Sequence, residues 1–247
     1  MKTSNNTILI TGGSAGIGFA IAKAFLKKGN RVIITGRDAQ RLEKAASALP
    51  GVTTLVSDVS SEADVDKLTE TIRTRFPQLN VLVNNAGYAA YHKLEPGVET
   101  WKAAADEMHT NYISVIRLTE KLLPILQQQP SAAVVNVSSI AAYAPGLHIP
   151  TYSASKAALH SYSKILRLAL KDTGIQVFEL MPPLVNTDFS AAIGGASGIA
   201  PEVVAQDLLS SMEQQVFSIH TGNTAKIYEA LKVSPIAAMN ALNGIPA

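Results

Sequence analysis

The chain has 247 residues, of which 47% are hydrophobic and 16% charged, enough apolar side chain for a sizeable core and too little charge for a disordered chain. Net charge is +2, from 21 basic and 19 acidic residues, and the longest basic run is Lys27-Lys28, so neither a nucleic-acid patch nor a polybasic membrane anchor is expected. There is no cysteine, which excludes disulfides, thiolate catalysis and Cys-ligated zinc; a reducing cytoplasm suits such a chain and is the compartment expected.

Met1 to Asn6 is polar and lacks the length and order of a secretory signal. No window approaches the ~20 apolar residues of a membrane span. Thr7–Thr11 then reads as a strand, and Ile17–Lys28 as a helix closed by Gly29. Arg31–Thr35 is a second strand, followed by a helix from about Asp38, a fair N-cap, to Leu49. Val52–Ser57 is a strand, Ser61–Phe76 a helix and Val81–Asn84 a strand. A long helical stretch, Glu99–Gln128, is expected to bend near Asn111, because asparagine is a poor helix former. Ala132–Val137 is a strand, Thr151–Lys171 a helix, and Ile175–Leu180 a strand that stops at Pro182-Pro183. Ser190–Ala200 is rich in Gly and Ala and expected to be mobile, and Pro201–Gln215 is a helix with Pro in its first turn. Val216–His220 is a candidate seventh strand, and the apolar tail Val233–Ala247 carries no clear pattern.

This alternation predicts a single α/β domain over residues 1–247, a doubly wound parallel sheet with helices on both faces. Residues 188–215 form a substrate-loop region and 221–247 a C-terminal tail. The strands are continuous apolar runs, as expected when both faces of the sheet are covered.

Five groups of residues carry chemistry. Thr11-Gly12-Gly13-Ser14-Ala15-Gly16-Ile17-Gly18 lies between the first strand and the first helix. A helix N-terminus offers free N–H groups to a pyrophosphate, and glycines let the backbone approach it; a tight turn without a ligand is the plainer alternative. Tyr152 and Lys156 are four apart and share a helix face. A tyrosine near pKa 10 is a poor acid–base group at neutral pH, and a nearby ammonium favours its phenolate. Ser139 sits just past the strand Ala132–Val137, at the carboxyl end where open parallel sheets bind ligands; its neighbour Ser138 is expected to point elsewhere. Asn84-Asn85-Ala86-Gly87 closes another strand at the same end, and Asp58-Val59 a third, where the carboxylate can meet an adenine amine or cap the next helix.

Together, T-G-x-x-x-G-I-G, N-N-A-G, Asn111, Ser139 and Y-S-A-S-K resemble the short-chain dehydrogenase/reductase family in order and spacing, from about residue 7 to 187. The resemblance implies a Rossmann-fold oxidoreductase, moving a hydride between a nicotinamide cofactor and a small carbonyl or alcohol. It implies a catalytic tetrad of Asn111, Ser139, Tyr152 and Lys156. Tyr152 would exchange the substrate proton, Lys156 would lower its pKa and bond the nicotinamide ribose, Ser139 would orient the carbonyl, and Asn111 would hold a relay water. Cofactor contacts are expected from Gly12, Ser14, Gly16, Ile17, Gly18, Arg37, Asp58, Val59, Asn85, Ala86, Gly87, Tyr152, Lys156, Val185 and Thr187. Gly36 takes the place where NAD-preferring relatives carry Asp, and Arg37 follows; an Arg there accommodates a 2′-phosphate, so NADP is expected over NAD.

Pro183 stands where the family carries Gly, a variant similar to DltE-like bacterial reductases, and it fixes a local backbone that glycine would leave free. Thr221-Gly222-Asn223 also departs from the family's usual C-terminal ending. A homodimer or homotetramer is expected, the dimer packing Asn111–Gln128 and Thr151–Lys171 through Leu118, Leu122, Ile165 and Leu168. The pocket is expected from Tyr88–His92, Ala141–Pro150 and Leu184–Ala200, with Tyr143 and His148 either lining it or packing as ordinary loop residues, and Trp101 is read as core or helix-packing. The five histidines form no metal spacing, and no metal is assigned. A cofactor-sensing binding module on the same fold is the alternative class. An epimerase with a large substrate domain is disfavoured by the short stretch after Thr187.

Overall fold

Strands that can be apolar on both faces belong inside a sheet covered by helices, and that is where this chain places them. The computed structural model describes residues 1–246. Its strands are β1 (Thr7–Thr11), β2 (Arg31–Gly36), β3 (Thr53–Val56), β4 (Val81–Asn84), β5 (Ala132–Val137), β6 (Ile175–Met181) and β7 (Ser218–His220). They form one seven-stranded parallel sheet in the order β3-β2-β1-β4-β5-β6-β7. The order reverses between β1 and β4, which opens a crevice at their carboxyl ends.

The helices are α1 (Gly16–Lys27), α2 (Ala39–Ala48), α3 (Glu62–Arg75), α4 (Thr100–Met108), α5 (Ser114–Gln127), α6 (Pro150–Ala169), α7 (Pro201–Gln214), α8 (Thr224–Val233) and α9 (Pro235–Asn243). Successive side chains of a strand point to opposite faces. Ile8 and Ile10 of β1 therefore join Phe25 of α1 and Leu208 of α7 in one core layer. Leu9, between them, joins Ile72 of α3 and Leu118 and Leu122 of α5 in the other.

The expected bend at Asn111 is a π-helical turn, His109–Ile113, between α4 and α5, with Asn111 fully buried in it. Such single-turn widenings let a side chain leave the helical register, and here the Asn111 amide uses that freedom. The tail is more ordered than its pattern implied. Pro235 starts α9 at its first turn, and the Ser234 hydroxyl caps it by accepting from Ala237 N–H at 3.2 Å. Ile227 and Ala238 of this helical pair pack on Ile140 and Ala144 of the turn after β5. Ser190–Ala200, expected to be mobile, instead holds two 3₁₀ turns and returns to make a parallel bridge between Val185 and Ile199.

Two packing expectations are corrected. Leu118 and Leu122 are fully buried against the sheet rather than on an outer face, because α5 turns that stripe inward; Ile165 and Leu168 of α6 are 57% and 59% exposed. Trp101, read as core or helix-packing, is 66% exposed. None of the described helices is long and apolar enough to cross a membrane. Leu122→Ala is expected to cost ~2–5 kcal/mol in urea unfolding while leaving the oligomeric state unchanged. A variant as stable as the parent would place Leu122 outside the core.

Candidate active site

The Gly-rich turn is built by close approach. Gly12 and Gly16 have φ of +63° and +56°, a backbone that side chains rarely adopt. A Cβ on Gly18 would lie 2.5 Å from both Gly12 O and Asn85 Nδ2, so α1 meets the turn only because residue 18 is glycine. Asn85 is spent on the same turn: its Nδ2 donates to Thr11 O at 2.9 Å and Gly12 O at 3.1 Å. Thr11 Oγ1 in turn accepts from the N–H groups of Asn85 and Ala86, each at 3.0 Å.

Beyond this turn lies a cleft of about 600 Å³ at the carboxyl ends of β1, β2 and β4. Among its walls are seven of the expected cofactor residues: Gly12, Ser14, Arg37, Asp58, Val59, Ala86 and Gly87. Gly16, Ile17, Gly18, Asn85, Val185 and Thr187 do not line it. Ile17 packs on the core. Gly18 and Asn85 shape the turn. Gly16 meets Thr187, whose Cγ2 would be 3.1 Å from a Cβ there. Val185 is buried at its bridge to Ile199. The cleft is bordered by the glycine turn, and its rim carries Arg37 and Arg41 beside Ser14, a donor set that suits an extended anionic dinucleotide. Asp58 is both things the sequence allowed. It lines the cleft, and its Oδ1 accepts from Ser60 N–H at 2.9 Å and Ser60 Oγ at 2.6 Å. Burial raises its carboxyl, but those bonds and the nearby Arg37 and His109 outweigh it and hold the group below its ordinary value. Asp38 caps α2, accepting from Arg41 N–H at 3.0 Å.

Asn111, Ser139, Tyr152 and Lys156 come together beside the cleft. Asn111 Oδ1 accepts from Tyr88 N–H at 2.8 Å; its Nδ2 donates to Tyr88 O at 2.8 Å and Ser155 Oγ at 2.9 Å. A Cβ on Gly87 would lie 3.3 Å from Asn111 Oδ1 and 3.8 Å from Lys156 Nζ, which sets all three side by side. Ser139 starts a 3₁₀ turn, Ile140–Ala142, its Oγ accepting from Ala141 N–H at 3.1 Å, and it faces Tyr152. Lys156 is buried, donates to Val137 O at 2.8 Å, and lies 5.6 Å from the Tyr152 ring centre.

The electrostatics differ from the expectation that Lys156 depresses Tyr152. Burial pushes the Tyr152 phenol up to about 12; Ser139 opposes this and Glu107 adds to it. Burial draws Lys156 down to about 8, against the pull of Glu179. Tyr152 is thus a phenol that keeps its proton at neutral pH, and Lys156 titrates near it.

Three polar residues were not singled out in the sequence. Glu107 is buried one turn before Asn111; its Oε1 accepts from Ala90 N–H at 2.7 Å, and its Oε2 has no partner among the described residues. Glu179 and His160 pair behind α6, at 2.9 Å. Glu107, two residues into an otherwise ordinary helix end, and Glu179, inside a strand of apolar neighbours, were the visible anomalies. The Tyr143 hydroxyl meets His220 Nε2 at 3.0 Å. His148 stacks on Tyr91 at 5.3 Å, and Phe189 reaches 6.1 Å from the Tyr152 ring. Pro183 packs toward Gly222, where a Cβ would be 3.2 Å from its ring. That contact joins the two places where the sequence leaves the family pattern.

Residues 6–198 match the family described as short chain dehydrogenase. The chain is also 44% identical over 187 residues to the oxidoreductase DltE of Bacillus subtilis (strain 168), covering 76% of this chain and 74% of that protein. The chain belongs to the short-chain dehydrogenase/reductase family. It is an oxidoreductase of that family, with the family's Rossmann-type fold. A serine 3-dehydrogenase of Agrobacterium fabrum is 36% identical over 196 residues, 78% of this chain and 77% of that protein. Among solved structures, a short-chain dehydrogenase from Burkholderia cenocepacia J2315 in complex with NADP superposes with a TM-score of 0.87 at 23% identity, over 98% of this chain and 99% of that one. The RhlG/NADP complex of Pseudomonas aeruginosa superposes with a TM-score of 0.78 at 29% identity, over 85% and 90%.

Gly18→Ala is expected to lower stability by ~1–3 kcal/mol, because the added methyl meets both the Gly12 carbonyl, which is backbone and cannot swing away, and the Asn85 amide that is bonded to the same turn. An unchanged urea midpoint would mean that α1 and the turn can separate freely.

Proposed function

We propose that this enzyme is an NADP(H)-dependent reductase of a small carbonyl compound, with Tyr152 as the proton donor and Asn111, Ser139 and Lys156 as its partners. The observation that carries the reading is the convergence of Ser139, Tyr152 and Lys156 beside a dinucleotide-sized cleft, with the Tyr152 phenol held protonated. The RhlG complex with NADP supports the cofactor class.

When bound, the nicotinamide supplies the hydride. The chain's residues supply position and the proton. Ser139 and Tyr152 converge where a carbonyl oxygen can accept from both hydroxyls. As negative charge develops on that oxygen, Tyr152 Oη gives up its proton to it. The resulting phenolate sits 5.6 Å, measured from its ring centre, from the Lys156 ammonium. Asn111 fixes the backbone at Tyr88 and, through Ser155, the first turns of α6.

NADP is favoured over NAD by the rim. Gly36 leaves no carboxylate against a 2′ substituent, and Arg37 and Arg41 border the cleft with Ser14. Asp38 is occupied as a helix cap.

A homodimer through the exposed face of α6 is part of this reading. Ile165 and Leu168 stand on one helix face, three residues apart, and are more than half exposed.

Titration of the purified enzyme is expected to give tighter binding of NADPH than of NADH, and NADPH absorbance should fall with a panel of aldehydes and ketones. On a substrate so found, Tyr152→Phe should lose ~10²- to 10⁴-fold in turnover with little change in NADPH affinity. Tighter NADH binding would reverse the cofactor reading; near-normal turnover of the variant would remove Tyr152 as the acid. By light scattering at micromolar concentration, the parent is expected to be at least dimeric and Ile165→Asp with Leu168→Asp a folded monomer. A monomeric parent would contradict the interface.

A further inference from the structure

We propose that Glu179 is a positioning residue for this reaction, which locks the segment carrying Ser139 to the helix carrying Tyr152 and Lys156. The inference rests on the catalytic reading above and extends it to a residue that touches neither substrate nor cofactor.

The argument begins with spacing. Tyr152, Lys156 and His160 are four apart on α6, so they form one stripe along one face. Val137, Ser138 and Ser139 are consecutive at the end of β5. The stripe and the segment are cross-linked at three levels. Tyr152 faces Ser139. Lys156 Nζ donates to Val137 O at 2.8 Å. His160 reaches Ser138 through Glu179 of β6: His160 Nδ1 lies 3.0 and 2.9 Å from the two carboxylate oxygens, and Ser138 Oγ donates to Oε1 at 2.5 Å.

A carboxylate only accepts, so His160 carries its proton on Nδ1 and the tautomer is fixed. Glu179 is fully buried. A buried carboxylate persists only where its oxygens are satisfied, and here both are satisfied by the two elements that bear the reacting groups. The constellation is not a second hydrolytic site. Ser138 points its hydroxyl at the carboxylate and not at the imidazole, and it is buried.

Glu179 also supplies charge. It is the group that opposes the burial of Lys156. The charged and titratable groups around it are Lys156, His160 and Arg167 from α6, Tyr143 from the turn after β5, and His220 from β7. Of these, Lys156 donates directly to the Val137 carbonyl, two residues before Ser139. Removing the charge should leave its ammonium less supported, so it deprotonates at lower pH.

The test uses the whole enzyme and two variants. Glu179→Gln keeps shape but removes charge and one acceptor; Ser138→Ala keeps the charge but cuts the link to β5. Wild-type kcat/KM for NADPH is expected to fall as pH rises through about 8, as Lys156 loses its proton. In Glu179→Gln that limb should move to lower pH, and kcat should fall roughly 10- to 100-fold through misplacement. Ser138→Ala should lose kcat with the limb unmoved. Thermal melts will show whether each variant folds, and Ser138→Ala carries the test if Glu179→Gln does not.

A second readout needs no turnover. The long-range nitrogen spectrum of His160 should show the Nδ1-protonated tautomer in the wild type and lose it in Glu179→Gln. Amide exchange over residues 138–142 should quicken in both variants. A folded Glu179→Gln variant with wild-type kcat, limb and exchange would overturn the proposal. If the wild type reduces no carbonyl but tautomer and exchange respond as stated, the reductase reading fails while the lock stands.

Discussion

A parallel sheet leaves polar side chains at its carboxyl ends inside the protein, and each must find a partner without water. Here the partners lie across element boundaries. Asn84 of β4 donates to Thr119 Oγ1 of α5 at 3.1 Å and to Asn136 Oδ1 of β5 at 2.9 Å. Asn136 Nδ2 donates to Ser163 Oγ of α6 at 3.0 Å, and that hydroxyl donates to Leu159 O at 2.8 Å. All four side chains are buried. A buried amide left without its bond costs about 1–3 kcal/mol. The sum of these penalties forbids α6 from sliding or rotating on β5, a restraint that apolar contacts alone would not impose. Tyr152 and Lys156 hang from the same helix two to three turns before Ser163, so their placement over the end of β5 follows from this ladder.

The second consequence of burial is electrostatic. A phenol and an ammonium close together would favour the charged pair in water-like surroundings. In this site both are desolvated, and each retreats toward its neutral form: Tyr152 rises to about 12 and Lys156 falls to about 8. A protonated phenol is suited to giving a proton, which matches reduction of a carbonyl. The reverse direction requires the tyrosine to lose its proton first, and Glu107 beside it makes that harder. The Lys156 ammonium waits on the Val137 carbonyl, close enough to answer a charge that forms on the tyrosine.

Much of this was legible in the sequence because it depends on local pattern. Apolar runs of four to seven residues gave six strands and, with the candidate at Val216–His220, the seventh. The poor helix former Asn111 marked the π turn. Pro182-Pro183 marked the end of β6. That Asn111, Ser139, Tyr152 and Lys156 come together was legible as a set of spacings. What escaped depends on rotation and on partners distant in sequence. The apolar residues of α5 do not reveal which stripe faces the sheet, so Leu118 and Leu122 were placed outside. Trp101 carries no sign of its exposure in its neighbours. Glu179 and His160 are 19 residues apart and acquire meaning only when β6 passes under α6. The tail did contain a signal, Ser234 before Pro235, which is an N-cap followed by a first-turn proline.

The account stands or falls on where a substrate oxygen binds. A crystal structure of the enzyme with NADPH and an unreactive carbonyl analogue measures this directly. The account predicts the analogue's oxygen within hydrogen-bond distance, ~2.6–3.2 Å, of both Tyr152 Oη and Ser139 Oγ, with Glu179 still bridging Ser138 and His160. An analogue oxygen bound away from Tyr152, with the phenol facing no substrate atom, would contradict it.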